Sequence, residues 1–289
     1  MKAYFCKAAF ALSLTASLAA CGSDGGNVAS APPPPTYTKL ADLKGDQTFQ
    51  SGGIRYVAGG SFSNQAIETF GSGVRIAYSS ADDSYTLTSP VDGKTSRFDP
   101  FMIEPNSDAS SVRYRNNLTG ESLLVRTPII NGVPLSYTLL GNWIYMDESR
   151  PFVHLMVGGV PTVARDMPKS GTATYTTGVD GAALHGGPLS GPINPALTSA
   201  SSSTFSANFG TGAIDTSLHL VTVERDFGMF RGTGSIASGT PSFTGAFAGT
   251  ITSGFSGAFF GPQAGEMAYD WHLSTDNVSA VGVVWGKKN

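Results

Sequence analysis

Between Phe243 and Leu273 large side chains recur at every second residue, and this constrains the fold more than any other feature of the chain. Met267, Tyr269, Trp271 and Leu273 fall on one face, while Glu266, Ala268, Asp270 and His272 fall on the other. A period of two is that of a strand, so the first set is expected in a core and the second in solvent. Upstream, Phe243, Gly245, Phe247, Gly249 and Ile251 read as inward against Thr244, Ala246, Ala248 and Thr250, followed by Phe255, Gly257 and Phe259. Large and small inward residues alternating in this way fill a tapering closed barrel with side chains.

Eight such segments are found from Gly171 onward: Gly171–Thr177, Ser202–Phe209, Ile214–Val223, Met229–Ile236, Phe243–Thr250, Gly254–Phe259, Met267–Leu273 and Ala280–Trp285. They predict an eight-stranded antiparallel up-and-down β-barrel, although alternation alone is also compatible with an open sandwich. The texture changes near Gly158–Pro168, which marks a domain boundary. Before it, Val74–Tyr78 and Ser84–Thr88 read as a hairpin, and Asn131-Gly132 between Ile130 and Val133 as a two-residue hairpin turn. Further strands are expected over Ser111–Asn116, Glu121–Thr127, Leu135–Met146 and Phe152–Val157. With 36 glycines, 17 phenylalanines and no window of helical periodicity with caps, the fold class is all-β. The expected division is 1–20 signal peptide, 21–36 tether, 37–163 β-rich domain and 164–289 barrel.

Lys2 and Lys7 precede an apolar stretch to Ala20, the order of an export signal, and the stretch is too short for a bilayer span. It ends in Leu18-Ala19-Ala20-Cys21, which resembles the lipobox of bacterial lipoproteins and implies cleavage before Cys21 and its acylation. Gly22 after the cysteine is compatible with sorting to the outer membrane. The segment from Gly22 to the run Pro32–Pro35 has the composition of a flexible and then extended tether. Cys6 leaves with the signal and Cys21 carries lipid, so no disulfide is expected. A net charge of −3 with 13% charged residues offers no basic footprint for nucleic acid.

The segment Gly257-Ala258-Phe259-Phe260-Gly261-Pro262-Gln263-Ala264-Gly265-Glu266-Met267 is similar to the penultimate hairpin of the transferrin-binding protein B barrels of Gram-negative surface lipoproteins. Gly171–Tyr175, Ala207–Gly212, Phe230–Gly234 and Val281–Lys288 resemble the same family in order and spacing. The resemblance covers roughly the last 120 residues and implies a single-lobed member, with the β-rich domain before the barrel corresponding to the family's handle. It further implies an outer-membrane, lipid-anchored protein at the cell surface, whose loops capture a partner such as a host or environmental iron-binding protein or haem. Turn chemistry alone accounts for the Gly and Pro of the long motif, so a structural role is favoured there over ligand contact.

No catalytic constellation is present: there is no Gly-x-Ser-x-Gly elbow, phosphate loop or His-Glu-x-x-His, and Gly232-Thr233-Gly234 lacks the helix of a dinucleotide fingerprint. The chain reads as non-enzymatic and without a cofactor. Asp82-Asp83 and Asp147-Glu148 are read as turn acids. His219 and His272 are expected on the barrel exterior, and no two histidines have metal-site spacing. His154, in an apolar run, and His185, beside Gly186-Gly187-Pro188, are the candidate ligand-binding residues, and loops after Gly178 and over His185–Pro195 the candidate contact surface. The leading reading is a lipid-anchored surface binding protein. The alternatives are a periplasm-facing structural envelope lipoprotein and a haem scavenger.

Overall fold

The computed structural model describes residues 34–57, 62–108, 110–147, 150–185 and 196–289, with the backbone alone at 63–65. The signal peptide, Cys21, most of the tether, Glu148 and the stretch 186–195 lie outside the described residues. Among the described residues twelve strands precede the barrel: β1 (Gln47–Phe49), β2 (Ser51–Val57), β3 (Ser63–Glu68), β4 (Arg75–Ser79), β5 (Ser84–Thr88), β6 (Thr95–Phe98), β7 (Ser111–Arg115), β8 (Ser122–Arg126), β9 (Ile129–Ile130), β10 (Val133–Pro134), β11 (Thr138–Asp147) and β12 (Arg150–Gly159). Eight more build the barrel: β13 (Thr172–His185), β14 (Ser202–Asn208), β15 (Ala213–Val221), β16 (Asp226–Ile236), β17 (Ser242–Phe247), β18 (Thr252–Phe260), β19 (Glu266–Ser274) and β20 (Val278–Lys288).

In the N-terminal domain a four-stranded sheet, β1-β4-β5-β6, packs on a six-stranded one, β3-β2-β12-β11-β8-β7. Their shared core holds Leu87 and Phe98 from the first sheet and Tyr114, Leu123, Trp143, Tyr145 and Met156 from the second. The expected hairpins form, and Asn131 and Gly132 adopt φ of 51° and 77°, the positive pair that a tight β9–β10 turn requires. The barrel closes with each strand antiparallel to its sequence neighbours and β13 paired to β20, which rules out the open sandwich. Phe205, Phe243, Phe255, Phe259 and Tyr269 fill its bore, with ring centroids 5.1–6.5 Å apart. Burying one such ring is worth about 1.5–3 kcal/mol, so the inward face supplies much of the barrel's stability. The Tyr269 hydroxyl meets Thr216 Oγ1 at 2.7 Å, which satisfies the one polar group these rings carry inward.

Three expectations need correction. β17 ends at Phe247, Gly249 turns with φ of 72°, and Ile251 is exposed, so the inward run is shorter than its alternation suggested. Gly178–His185 is not a loop: it continues β13 against β20, from Gly178↔Trp285 to His185↔Val278. The glycines there are places of close approach, since a Cβ on Gly178 would lie 2.5 Å from the Trp285 ring and one on Gly181 2.3 Å from the Val281 carbonyl. Finally, Glu266, Ala268 and Asp270 do face outward from the barrel but are buried, because the six-stranded sheet covers the outside of β18, β19 and β20. The seam is lined by Leu140, Val157, Ala258, Phe260, Ala268 and Val283, and further along by Ile54, Tyr56, Val153, Leu184 and Val281.

Candidate functional site

The long motif forms a latch at one end of the seam. Gly261 turns with φ of 67°, Gln263 and Ala264 with 52° and 54°, and the chain returns into β19 at Glu266. The Glu266 carboxylate accepts hydrogen bonds from the backbone amides of Ser136 (2.6 Å) and Tyr137 (2.9 Å) and from Thr138 Oγ1 (2.9 Å), where β11 begins. Asp166, in the connection between the domains, accepts from the Gln263 amide (2.9 Å) and the Tyr37 hydroxyl (2.8 Å). Burial works against ionisation of Asp166, but these donors outweigh it and hold its carboxyl below the usual range. The motif therefore acts in structure, as turn chemistry suggested, and it fixes where the described chain enters: Tyr37 and Leu40, the latter donating to the Ser136 carbonyl, lie at this latch end.

His154 is fully buried in the N-terminal domain. Its ring stacks on Trp143 and Tyr145, with centroids 5.3 and 5.7 Å away. Glu68 Oε1 is 3.6 Å from Nδ1, and the Tyr145 hydroxyl 3.5 Å from Nε2. An axial haem ligand needs an open approach, and this position has none. The Tyr145 hydroxyl donates in turn to Asp92, which pairs with Arg55 at 3.1 Å. Donors from Tyr145, Ser89 and the Lys94 amide overcome the burial of Asp92 and hold it at about 2.

The opposite end of the molecule carries loops from both domains. The barrel contributes the turns after β15, β17 and β19 and the end of β13 at His185, and the N-terminal domain the turns after β5 and β7 and the facing ends of β11 and β12. Both sets lie at the same end because Tyr56 and Phe62, where β2 turns away, pack with Leu184 near the end of β13. Leu118 is almost wholly exposed, at 97%, and Val223, Ile251, Met229, Val91 and Met146 also reach solvent on this side; the equally bare Phe101 follows β6, whose end lies beside the β4–β5 turn. Large apolar groups exposed on neighbouring loops mark a contact surface. His185 sits here, exposed, in a cleft of about 670 Å³ with Arg225, Phe227 and Phe230. Its Nδ1 lies 2.7 Å from the Asn277 carbonyl, which places the proton on Nδ1 and leaves the lone pair on Nε2.

His154 and His185 are thus not brought together. His219 is exterior, as expected, and pairs with Asp226 at 2.9 Å, while the exterior His272 is half-buried beneath the N-terminal domain. Asp82 and Asp83 lie in the β4–β5 turn as read. Among the described residues no group of three or more His, Cys, Asp or Glu side chains could hold a metal ion. Phe101 and Leu118 were missed from sequence; Leu118 stands alone among turn formers, in Asn117-Leu118-Thr119-Gly120, whereas Phe101 heads the apolar run Phe101-Met102-Ile103.

Residues 167–288 match the family model described as the C-lobe and N-lobe β-barrels of transferrin-binding protein B. The barrel is of the transferrin-binding protein B type. The match takes in all eight barrel strands and the Gly257–Met267 hairpin that carries the latch. The family is one of binding proteins, not enzymes. Among solved structures, transferrin-binding protein B of Neisseria meningitidis is similar at 19% identity and a TM-score of 0.48, over 83% of this chain and 43% of that one. Transferrin-binding protein B of Haemophilus parasuis Hp5 is similar at 16% identity and 0.47, over 85% and 46%. HpuA from Kingella denitrificans, solved in complex with human haemoglobin, is similar at 16% identity and 0.41, over 89% and 90%. The chain spans under half the length of the two transferrin-binding protein B chains. No curated protein sequence matches it.

Proposed function

We propose that this protein is a lipid-anchored, non-enzymatic receptor on the outer face of the outer membrane, acylated at Cys21, that captures a host or environmental iron-carrying protein. The supporting observation is the apolar loop end, with Leu118, Val223 and Ile251 open to solvent, lying opposite the end at which Tyr37 enters the fold. β11 alone, ten residues long, separates the two ends by roughly 30 Å. In this reading the N-terminal domain is the handle of a single-lobed member, and the chain enters the fold at Tyr37 on the end away from the contact surface. Transferrin and haemoglobin are the first probes. Immobilised protein is expected to bind one of them, and a Leu118→Ser/Val223→Ser double variant to lose at least tenfold in affinity with an unchanged melting temperature. Equal binding by the variant, or binding to neither probe, would count against it. Surface display is tested apart from binding: external protease on intact cells should cleave the protein.

His185 supports a second reading, haem as the cargo. The Nδ1–Asn277 contact fixes the tautomer that a ligating Nε2 needs, and Arg225 and two phenylalanines share its cleft. A Soret shift on haem titration that His185→Ala abolishes is the expected sign; no shift removes the reading.

A further inference from the structure

Asp270 lies on the outer face of β19 at the middle of the seam, fully buried, and neither of its oxygens has a hydrogen-bond donor. Its neighbours on that face are Ser256, directly across on β18 and also buried with an unpartnered Oγ, and His272, two residues along β19, with an unpartnered Nδ1. β20 faces it with Val281 and Val283, which carry no charge, and Ile54 of β2 adds none. From β3 comes Glu68, buried, both oxygens again without a hydrogen bond, and its nearest cation-forming group is His154 of β12 at 3.6 Å. Glu266, at the start of β19, is committed to the latch, and Arg55 of β2 to Asp92 and Tyr145. So two acids approach one buried seam, and among the described residues no cation pairs with the one on the barrel.

We infer that the seam between the two domains is a proton-binding site, at which Asp270 is held as the neutral acid and docking of the N-terminal domain on the barrel takes up that proton. An isolated buried carboxylate costs several kcal/mol, whereas the neutral acid costs far less and gains an O–H. The Glu68 carboxylate is the acceptor whose field reaches that O–H, while Ser256 Oγ and His272 Nδ1 are polar neighbours on the same face that make no hydrogen bond to Asp270. The electrostatics agree: burial raises Asp270 well above the carboxylate range, the Glu68 charge adds to the rise, and the nearby Val157 amide pulls only weakly the other way. Because the folded state holds a proton that the unfolded chain sheds above about pH 4, stability is full below that pH and falls as pH rises toward the folded value. His272 acts in the opposite sense: burial lowers it, so its contribution is present above about pH 6.5 and is lost as pH falls.

The test is equilibrium unfolding of the purified protein from pH 4 to pH 9, beside Asp270→Asn. The amide keeps the shape and the donor without the proton. The folding constant of the wild type should fall relative to that of the variant by up to tenfold per pH unit above pH 4. Parallel profiles would overturn the inference. If Asp270→Asn does not fold, two measurements remain. Infrared spectra of the wild type with labelled aspartate should show a protonated carboxyl band at pH 7, and its absence would overturn the inference. Glu68→Gln, which removes the neighbouring charge, should shift loss of that band to lower pH; an unmoved band would refute the proposed coupling.

Discussion

Glu266 and Asp270 stand four residues apart on the same outward face of β19, both buried under the same sheet, and the fold treats them oppositely. Three donors from the start of β11 converge on Glu266, and none reaches Asp270. The difference comes from what each meets. Glu266 faces the end of a strand, where amides not used by the sheet ladder are free to donate. Asp270 faces the middle of β2 and β12, whose amides are largely spent on each other, so that the Val157 amide does not offset its burial. A buried acid at a strand end can serve as a latch, and one at mid-sheet is left to hold a proton.

The largest effect should come from breaking the latch. Glu266→Ala leaves two amides and a hydroxyl without an acceptor, and should cost about 3–5 kcal/mol in urea unfolding, with Glu266→Gln recovering part of the loss. A loss below about 1 kcal/mol would mean that the latch does not hold the domains together. Next, Gly261→Ala strains the same hairpin while sparing the carboxylate, since it puts a Cβ at positive φ and 2.3 Å from the Tyr137 ring. Calorimetry should show a loss of about 2 kcal/mol. Asp270→Asn should have the opposite sign, adding about 1 kcal/mol at pH 8 and almost nothing at pH 4. Smallest is Arg126→Ala, which removes an exposed 2.6 Å pair with Asp180 at the edge of the seam. A change under about 1 kcal/mol, fading in salt, is expected there.

The barrel was legible because its inward side chains are phenylalanine, tyrosine and tryptophan at a period of two, a signal that needs no knowledge of distant residues. The outer face of β19 was misread for the converse reason. Glutamate, aspartate and histidine on alternate positions look like a solvated face, and what covers them is a sheet far earlier in the chain. Gly178 and Gly181 misled similarly, since a glycine that makes room for a tryptophan ring and one that makes a turn look alike in sequence. Leu118 carries the converse lesson, that an apolar residue among turn formers can be pointing out.

A barrel that is closed and filled with interlocking rings has its strand register set from inside. The turns at its ends then have no part in holding the strands together, and residues can be added, removed or exchanged there without a slip propagating through the sheet. Foreign segments grafted between Val221 and Asp226, or between Phe247 and Thr252, should leave the rings where they are. The same chassis can thus carry new recognition surfaces as independent cargo, while the latch at its other end stays untouched.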